Sequence, residues 1–219
     1  MNLFFRGLLL GNFVFFLSVS MDLFVSPLET RILKHSHFTL LLKGYILSFI
    51  NLCVITPTLY SCLTPFVVNY EDSSFYWKEF FLMVLFQNIG YYAAHWHMHN
   101  GLYWIHKFHH QYNRIVIPSS AFAVTVYEFL YAYISPLLIS ALFIYPSDTS
   151  FLSSVGLIAL CNLFIHSPTL QTVRLPKFLV SPIDHLMHHQ FQNTNLAAPV
   201  FALDRLKEFY RQDRQDRQD

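Results

Sequence analysis

The sequence predicts an all-α integral membrane protein, a helical bundle with four or five transmembrane helices and a histidine-rich metal site on its cytoplasmic side. Three observations carry this. Only 12% of the 219 residues are charged and 54% are hydrophobic, with a mean hydropathy of +0.37. That is about half the charge share of a soluble domain. Long uncharged stretches recur at the length needed to span a bilayer. The histidines fall in tight clusters at the ends of those stretches rather than among the apolar residues.

A spanning helix needs about 20 mostly apolar residues. Leu3–Ser20 is interrupted only by Arg6. A signal peptide is the competing reading, but the basic region is a single arginine and no small-residue cleavage site follows. A retained span or shallow anchor is expected. Gly44–Val68 carries no charge over 25 positions. Phe80–Ala94 is shorter and extends upstream through Phe75, Tyr76 and Trp77, an aromatic group suited to the membrane interface. Phe129–Ser147 and Ser150–Val173 are uncharged over 19 and 24 positions, with His166 neutral. The chain is expected to divide into N-terminal membrane segments and a connecting loop (1–74), a main region (75–206) and a low-complexity polar tail, "RQDRQDRQD", within 207–219. The tail cannot bury a core and is expected to be disordered or a frayed helix end.

If the segments alternate across the membrane, one side holds Arg31, Lys34, Lys43, Lys107, Arg114, Arg174, Lys177 and the tail. The other holds Arg6, Lys78, Glu71, Asp72 and Asp148. The positive-inside rule places the first set in the cytoplasm, and every histidine cluster lies on that side. A net charge of +1 offers no basic field for nucleic acid. Cys53, Cys62 and Cys161 form no CxxC pair, so they read as small packing residues rather than disulfides or zinc thiolates.

Three clusters carry chemistry. His95-Trp-His-Met-His99 contains HxxxH; His106-Lys-Phe-His109-His110 and His185-Leu-Met-His188-His189 are each HxxHH. Residues i, i+3 and i+4 share one face of a helix, so each HxxHH is expected to project three imidazoles the same way. Imidazole suits Zn, Cu, Fe and Ni, whereas Mg and Ca prefer oxygen. Eight or more histidines exceed one tetrahedral zinc site, so two metals are implied. There is no HExxH, which disfavours a single-zinc protease, and no glutamate-rich E-x-x-H pattern of a soluble di-iron bundle. His97 points away from the ligand face, about 200° round the helix from His95. His35 and His37 lie far from the clusters and read as interface residues. No flavin or nicotinamide fingerprint is visible.

HxxxH, then HxxHH, then a distant HxxHH between apolar spans resembles the fatty acid hydroxylase/sterol desaturase superfamily of membrane di-iron enzymes. The similarity covers roughly residues 75–206. "TVYEFLYAY" (Thr125–Tyr133) resembles the segment where that family carries a glutamate, here Glu128. "NLFIHSP" (Asn162–Pro168) resembles its isolated histidine, here His166. "HLMHHQFQNTN" with "ALDRL" resembles its closing stretch, with Asn193, Asn195 and Asp204. The order and spacing look closest to the sterol-oxidising members, such as cholesterol 25-hydroxylase and methylsterol oxidase. The chain departs from the pattern at Pro168 and Leu196, where the family often has glycine, and at Leu203, where an aromatic is usual.

The resemblance implies that His95, His99, His106, His109, His110, His185, His188 and His189 bind metal, with His166 a ninth ligand. Glu128, a charge beside an apolar span, would accept the free N–H of a ligand imidazole and fix its tautomer. Asn193 and Asn195 would cap or hydrogen-bond near the last cluster, or be ordinary turn residues. Tyr103, Trp104, Phe108 and Tyr112 would wall a pocket or form an interface belt. The implied activity is O2-dependent hydroxylation or desaturation of a lipid, a sterol before a fatty acyl chain. The implied cofactors are two Fe ions, with zinc as the alternative occupant. Electrons would come from a separate carrier, a b-type cytochrome or a ferredoxin with its NAD(P)H reductase. The implied location is the endoplasmic reticulum membrane in a eukaryote or the inner membrane in a bacterium. The rival readings are a membrane metal-binding or transport protein and a zinc-dependent membrane hydrolase.

Overall fold

The structure is a computed structural model, and it describes residues 2–205. The polar tail within 207–219 lies outside the described residues. The fold is all-α: among the described residues there are helices and two isolated bridges, Asn69 to Ser147 and Leu179 to Phe201, but no strand.

Among the described residues, four helices are long and apolar enough to cross a membrane: α1 (Leu3–Phe24), α3 (Phe38–Phe66), α5 (Val126–Ile144) and α6 (Asp148–Ile165). Helix α4 (Trp77–Asn100) packs against α5 and α6, and α1 packs against α3. A short amphipathic helix, α2 (Pro27–Ser36), joins α1 to α3, and α7 (Pro182–Phe191) follows the bundle. The chain is an integral membrane protein.

The helix ends differ from the sequence expectation for local reasons. The second span starts at Phe38 rather than Gly44 and takes in Lys43, whose exposed side chain can reach the interface. The fourth runs three residues earlier than expected. Thr125 caps it by accepting from the Glu128 N–H at 3.2 Å, and Tyr145 ends it in a left-handed turn (φ 50) before Pro146. The last stops at Ile165 rather than Val173, because the residue before Pro168 disfavours helical backbone. Helix α4 continues six residues past Ala94 to Asn100, so His95 and His99 ride on it.

Helices α3 and α5 each contain a widened π-helical segment, Ile50–Ile55 and Phe129–Ile134. Each lies just upstream of a proline, Pro57 and Pro136. Proline lacks the N–H and crowds the carbonyl four residues back, and a widened turn accommodates both effects. Two glycines set close crossings. A Cβ at Gly11 of α1 would fall 1.8 Å from the Leu52 carbonyl oxygen of α3, and one at Gly90 of α4 would fall 2.7 Å from Pro136 Cβ of α5.

The two ends of the bundle are chemically distinct. At one end Arg6 of α1 pairs with Asp148 of α6. Tyr60 also donates to Asp148 (3.3 Å), and the Ser147 N–H donates to Glu79 (2.9 Å). At the other end the buried Asp22 accepts from the Ser119 N–H and the Tyr45 hydroxyl, both at 2.9 Å, and the histidines gather there. Arg6 and Asp148 thus share one end of the bundle, and Asp22 and the histidines the other. Among the cysteines, Cys53 packs in the core, Cys161 is half-buried, and Cys62 is exposed rather than a packing residue.

Candidate metal centre

Every histidine of the three clusters except His97, together with His166, converges on one end of the bundle. Helix α4 supplies His95 and His99 from its last two turns. A single turn, Tyr103–His106, and the 3-10 turn His109–Tyr112 supply His106, His109 and His110. His166 sits at the C-terminal end of α6, and α7 supplies His185, His188 and His189. Helix α7 opens with a reciprocal cap between Ser181 and Asp184, which fixes its start.

The rings form two groups that could each hold a metal ion. His95, His99, His106, His110 and His188 make one; His109, His166, His185 and His189 make the other. Within each group the candidate ligand atoms all lie within 4.8 Å of one another. Eight of the nine rings are buried, and His99 is half-buried.

This grouping corrects the expectation that an HxxHH projects all three rings one way. In the second cluster His106 and His110 enter the first group and His109 the second. In the third cluster His185 and His189 enter the second group and His188 the first. The angular step explains it. On a helix, i+4 lies about 40° from i on one side, whereas i+3 lies about 60° away on the other. The i, i+4 pair therefore shares a target, and the i+3 ring reaches across to the neighbouring one.

Hydrogen bonds on the outer ring nitrogens fix several tautomers. His95 Nδ1 donates to the Leu196 carbonyl (2.7 Å), His166 Nδ1 to Asn162 (2.7 Å) and His188 Nδ1 to Thr194 (2.8 Å). His106 Nδ1 donates to the Glu128 carboxylate at 2.6 Å, with both side chains fully buried. A neutral ring that donates from Nδ1 presents a bare lone pair at Nε2. His95 Nε2 and His106 Nε2 are both of this kind, yet they lie 3.0 Å apart. His188 Nε2 has no hydrogen-bond partner. Facing lone pairs repel unless a cation lies between them, so this donor set fits a metal ion. Protonation is not the remedy. Burial first, then the neighbouring imidazoles, holds His106, His109, His185, His188 and His189 well below the usual histidine range. His110 falls to about 3 for the same causes. Burial lowers His166 to about 4, with its Asn162 bond partly offsetting this.

In the second group His166 Nε2 lies 3.0 Å from His185 Nε2, 3.3 Å from His189 Nε2 and 3.5 Å from His109 Nε2. Neither group contains a carboxylate. Glu128 hydrogen-bonds His106 and belongs to neither group; its second oxygen makes no hydrogen bond.

The remaining sequence candidates fall around this core. His97 is exposed, with Nδ1 2.7 Å from the Tyr131 hydroxyl. His35 and His37 are exposed and distant from it in sequence. Asn195, in a left-handed conformation (φ 52), donates to the Asp184 carbonyl at 3.1 Å. Asn193 is exposed. Asp204 accepts from the Ala197 N–H (2.6 Å), pinning the segment whose Leu196 carbonyl holds His95. Leu196 needs no positive φ, so a glycine is not required there. Tyr103 donates to Gln192 (3.0 Å) beside the half-buried His99, and Tyr112 is buried with its hydroxyl on the Leu40 carbonyl (3.0 Å). Trp104 is exposed and Phe108 packs against Tyr112.

Residues 80–208, more than half of the chain, match the family model described as fatty acid hydroxylase. No curated protein and no solved structure matches the chain.

Proposed function

The chain belongs to the fatty acid hydroxylase family, and from that premise we propose that it is a di-iron enzyme that oxidises a membrane lipid, a sterol by preference, using O2 and two external electrons. Membership supports the coarser statement directly: this is a membrane oxidoreductase of the hydroxylase or desaturase type. The observation that carries the finer reading is the pair of all-imidazole groups, five and four rings, with lone pairs facing inward at one end of an apolar bundle.

In this reading His95, His99, His106, His110 and His188 hold one ion, and His109, His166, His185 and His189 hold the other. Bound iron would supply the O2-derived oxidant that no side chain can provide. The chain's own residues orient and shield that chemistry. The carbonyls of Leu196, Asn162 and Thr194 and the Glu128 carboxylate lock four rings with Nε2 inward. Burial keeps the rings neutral and therefore available as ligands. Half-buried His99, beside the Tyr103–Gln192 hydrogen bond, marks the open edge of the site. The histidine end faces the cytoplasm on this proposal, supported by the excess of Lys and Arg in the loops on that side. A soluble or membrane-anchored electron carrier would dock there.

The test uses membranes containing the protein, a chemical reductant and ¹⁸O2. Label appearing in an alcohol product identifies a hydroxylase. An alkene, with the label in water, identifies a desaturase. A fatty acyl or sphingolipid product in place of an oxidised sterol would correct the substrate class. Sustained turnover under argon with zinc bound would replace the oxygenase reading with a hydrolase.

A further inference from the structure

Residues 194–205 follow α7 as an irregular segment, yet Leu196, Ala197, Ala198 and Val200 in it are all buried. Buried backbone outside a helix or sheet must find its hydrogen-bond partners elsewhere. Helix α4 supplies several of them. The N–H groups of Val200 (3.0 Å) and Phe201 (3.2 Å) both donate to Asn88 Oδ1. The Ala197 N–H donates to Asp204 Oδ2 (2.6 Å), and Asp204 Oδ1 accepts from the Tyr92 hydroxyl of α4 (3.3 Å). Asn88 is itself held in place. Its oxygen accepts twice, so its Nδ2 is the donor to the Val84 carbonyl (3.0 Å) and to Gln87 Oε1 (3.2 Å). Asn88 is fully buried, and a buried amide is costly unless such bonds are made.

The register on α4 links these bonds to the metal centre. Asn88, Tyr92, His95 and His99 stand at i, i+4, i+7 and i+11, which is one face of a helix. Helix α4 therefore grips the segment with the same face that presents its two rings. Other ties run to α7. Arg205 donates to Asp184 Oδ2 (2.8 Å) and to the Lys177 carbonyl (2.6 Å), and Asn195 donates to the Asp184 carbonyl (3.1 Å). The segment also offers carbonyls to two rings, Leu196 to His95 and Thr194 to His188. Both rings belong to the five-ring group. In the four-ring group His166 is held instead by Asn162, one turn back on its own helix.

We infer that residues 194–205 are a strap that aims the five-ring group, and that Asn88, Tyr92 and Asp204 are positioning residues for the ion it holds. This rests on the two-ion reading given above. An imidazole keeps its ligand geometry when its outer nitrogen is held. Freeing the strap from α4 loosens the acceptors of His95 and His188 together. Helix α7 keeps its start through the Ser181–Asp184 cap, so His185 and His189 stay in place. One ion should therefore weaken and the other should not.

The experiment reads metal binding and backbone exchange rather than turnover. Metal-free protein in detergent is dialysed under argon against graded Fe2+. The unaltered protein should take up two equivalents. Asn88→Leu and Asp204→Ala should each bind one as before and the other about 10- to 100-fold more weakly, the loss typical when a supporting partner of a metal-bound histidine is removed. Asp204→Asn keeps an oxygen for the Ala197 N–H and turns an amide toward the Tyr92 hydroxyl, so it should recover most of that affinity. In a His109→Ala background the five-ring ion remains alone, and Asp204→Ala should weaken it by the same factor. Hydrogen exchange of the metal-free protein should show slow Val200 and Phe201 amides that quicken in Asn88→Leu. Equal weakening of both ions, unchanged binding in Asn88→Leu and Asp204→Ala, or no protection of these amides in the unaltered protein would overturn the inference. If Asn88→Leu does not fold, Asp204→Ala against Asp204→Asn decides the question. A split between the two ions in a protein that never consumes O2 would uphold the strap and sink the oxygenase reading. Oxygenation of a lipid by a protein whose variants all hold both ions alike would do the reverse.

Discussion

Removing the Glu128 side chain tests the site most sharply, because it touches one ring of one group and is itself a member of neither. In Glu128→Ala the His106 Nδ1–H loses a 2.6 Å bond to a carboxylate inside a fully buried pocket. A hydrogen bond to a charged group is worth about 1.5–3 kcal/mol. At about 1.4 kcal/mol per decade this becomes a loss of about 10- to 150-fold in metal affinity, in line with the 10- to 100-fold typical of such supporting partners. The loss should fall on one ion. His106 belongs to the five-ring group, whereas His109, His166, His185 and His189 hold their geometry without it. Glu128→Gln retains a carbonyl acceptor and should lose less than about 10-fold, since a neutral bond is worth roughly half a charged one. The assay is metal content after dialysis against graded chelator. Glu128→Ala should release one of two equivalents at lower chelator than the unaltered protein, with Glu128→Gln between them. Simultaneous loss of both equivalents, or identical curves for all three proteins, would refute the assignment.

Two further outcomes follow from the same geometry. His97→Ala should keep both ions and most turnover, while His109→Ala should lose the ion of the four-ring group and all turnover; metal analysis beside the lipid assay checks both. Acid should destabilise the metal-free protein. His110 and His166 are held at about 3 and about 4 in the folded state, against about 6.5 when unfolded. The folded state then binds fewer protons below pH 6.5, so its stability is complete above that value and is lost as pH falls through it toward 4. Melting temperatures of stripped protein at pH 7.5 and 5 should show the drop, and equal values would contradict the buried neutral rings.

Eight of the nine assembled histidines were legible because i, i+3 and i+4 repeats of one residue stand out in an apolar chain, and His166, which stands alone, was reached only through the resemblance of Asn162–Pro168 to the family. Glu128 was legible as a charge in a stretch where charge is expensive. The angular step that parts the i+3 ring from the i, i+4 pair was overlooked, and what spacing could not show was which pairs would share a group, since that depends on how the turn Tyr103–His106 and α7 face each other. The carbonyls of Leu196, Asn162 and Thr194 left no trace either, because every residue carries a carbonyl. Gln87 and Asn88 were hidden inside a run read as a span, where side-chain identity matters less to hydropathy than the average. Asp22 lies just beyond the first expected span, and its bond to Ser119 joins segments almost a hundred residues apart. The helix ends were missed where prolines and caps outweighed composition.

The crossed allocation of the two HxxHH clusters bears on how such a chain can decay. Each cluster feeds both groups, two rings to one and one to the other. Erasing either cluster therefore strips ligands from both groups at once, and no single short deletion there leaves one group whole. One group can persist only where the losses are confined to the other, either to His109, His166, His185 and His189 or to their five counterparts.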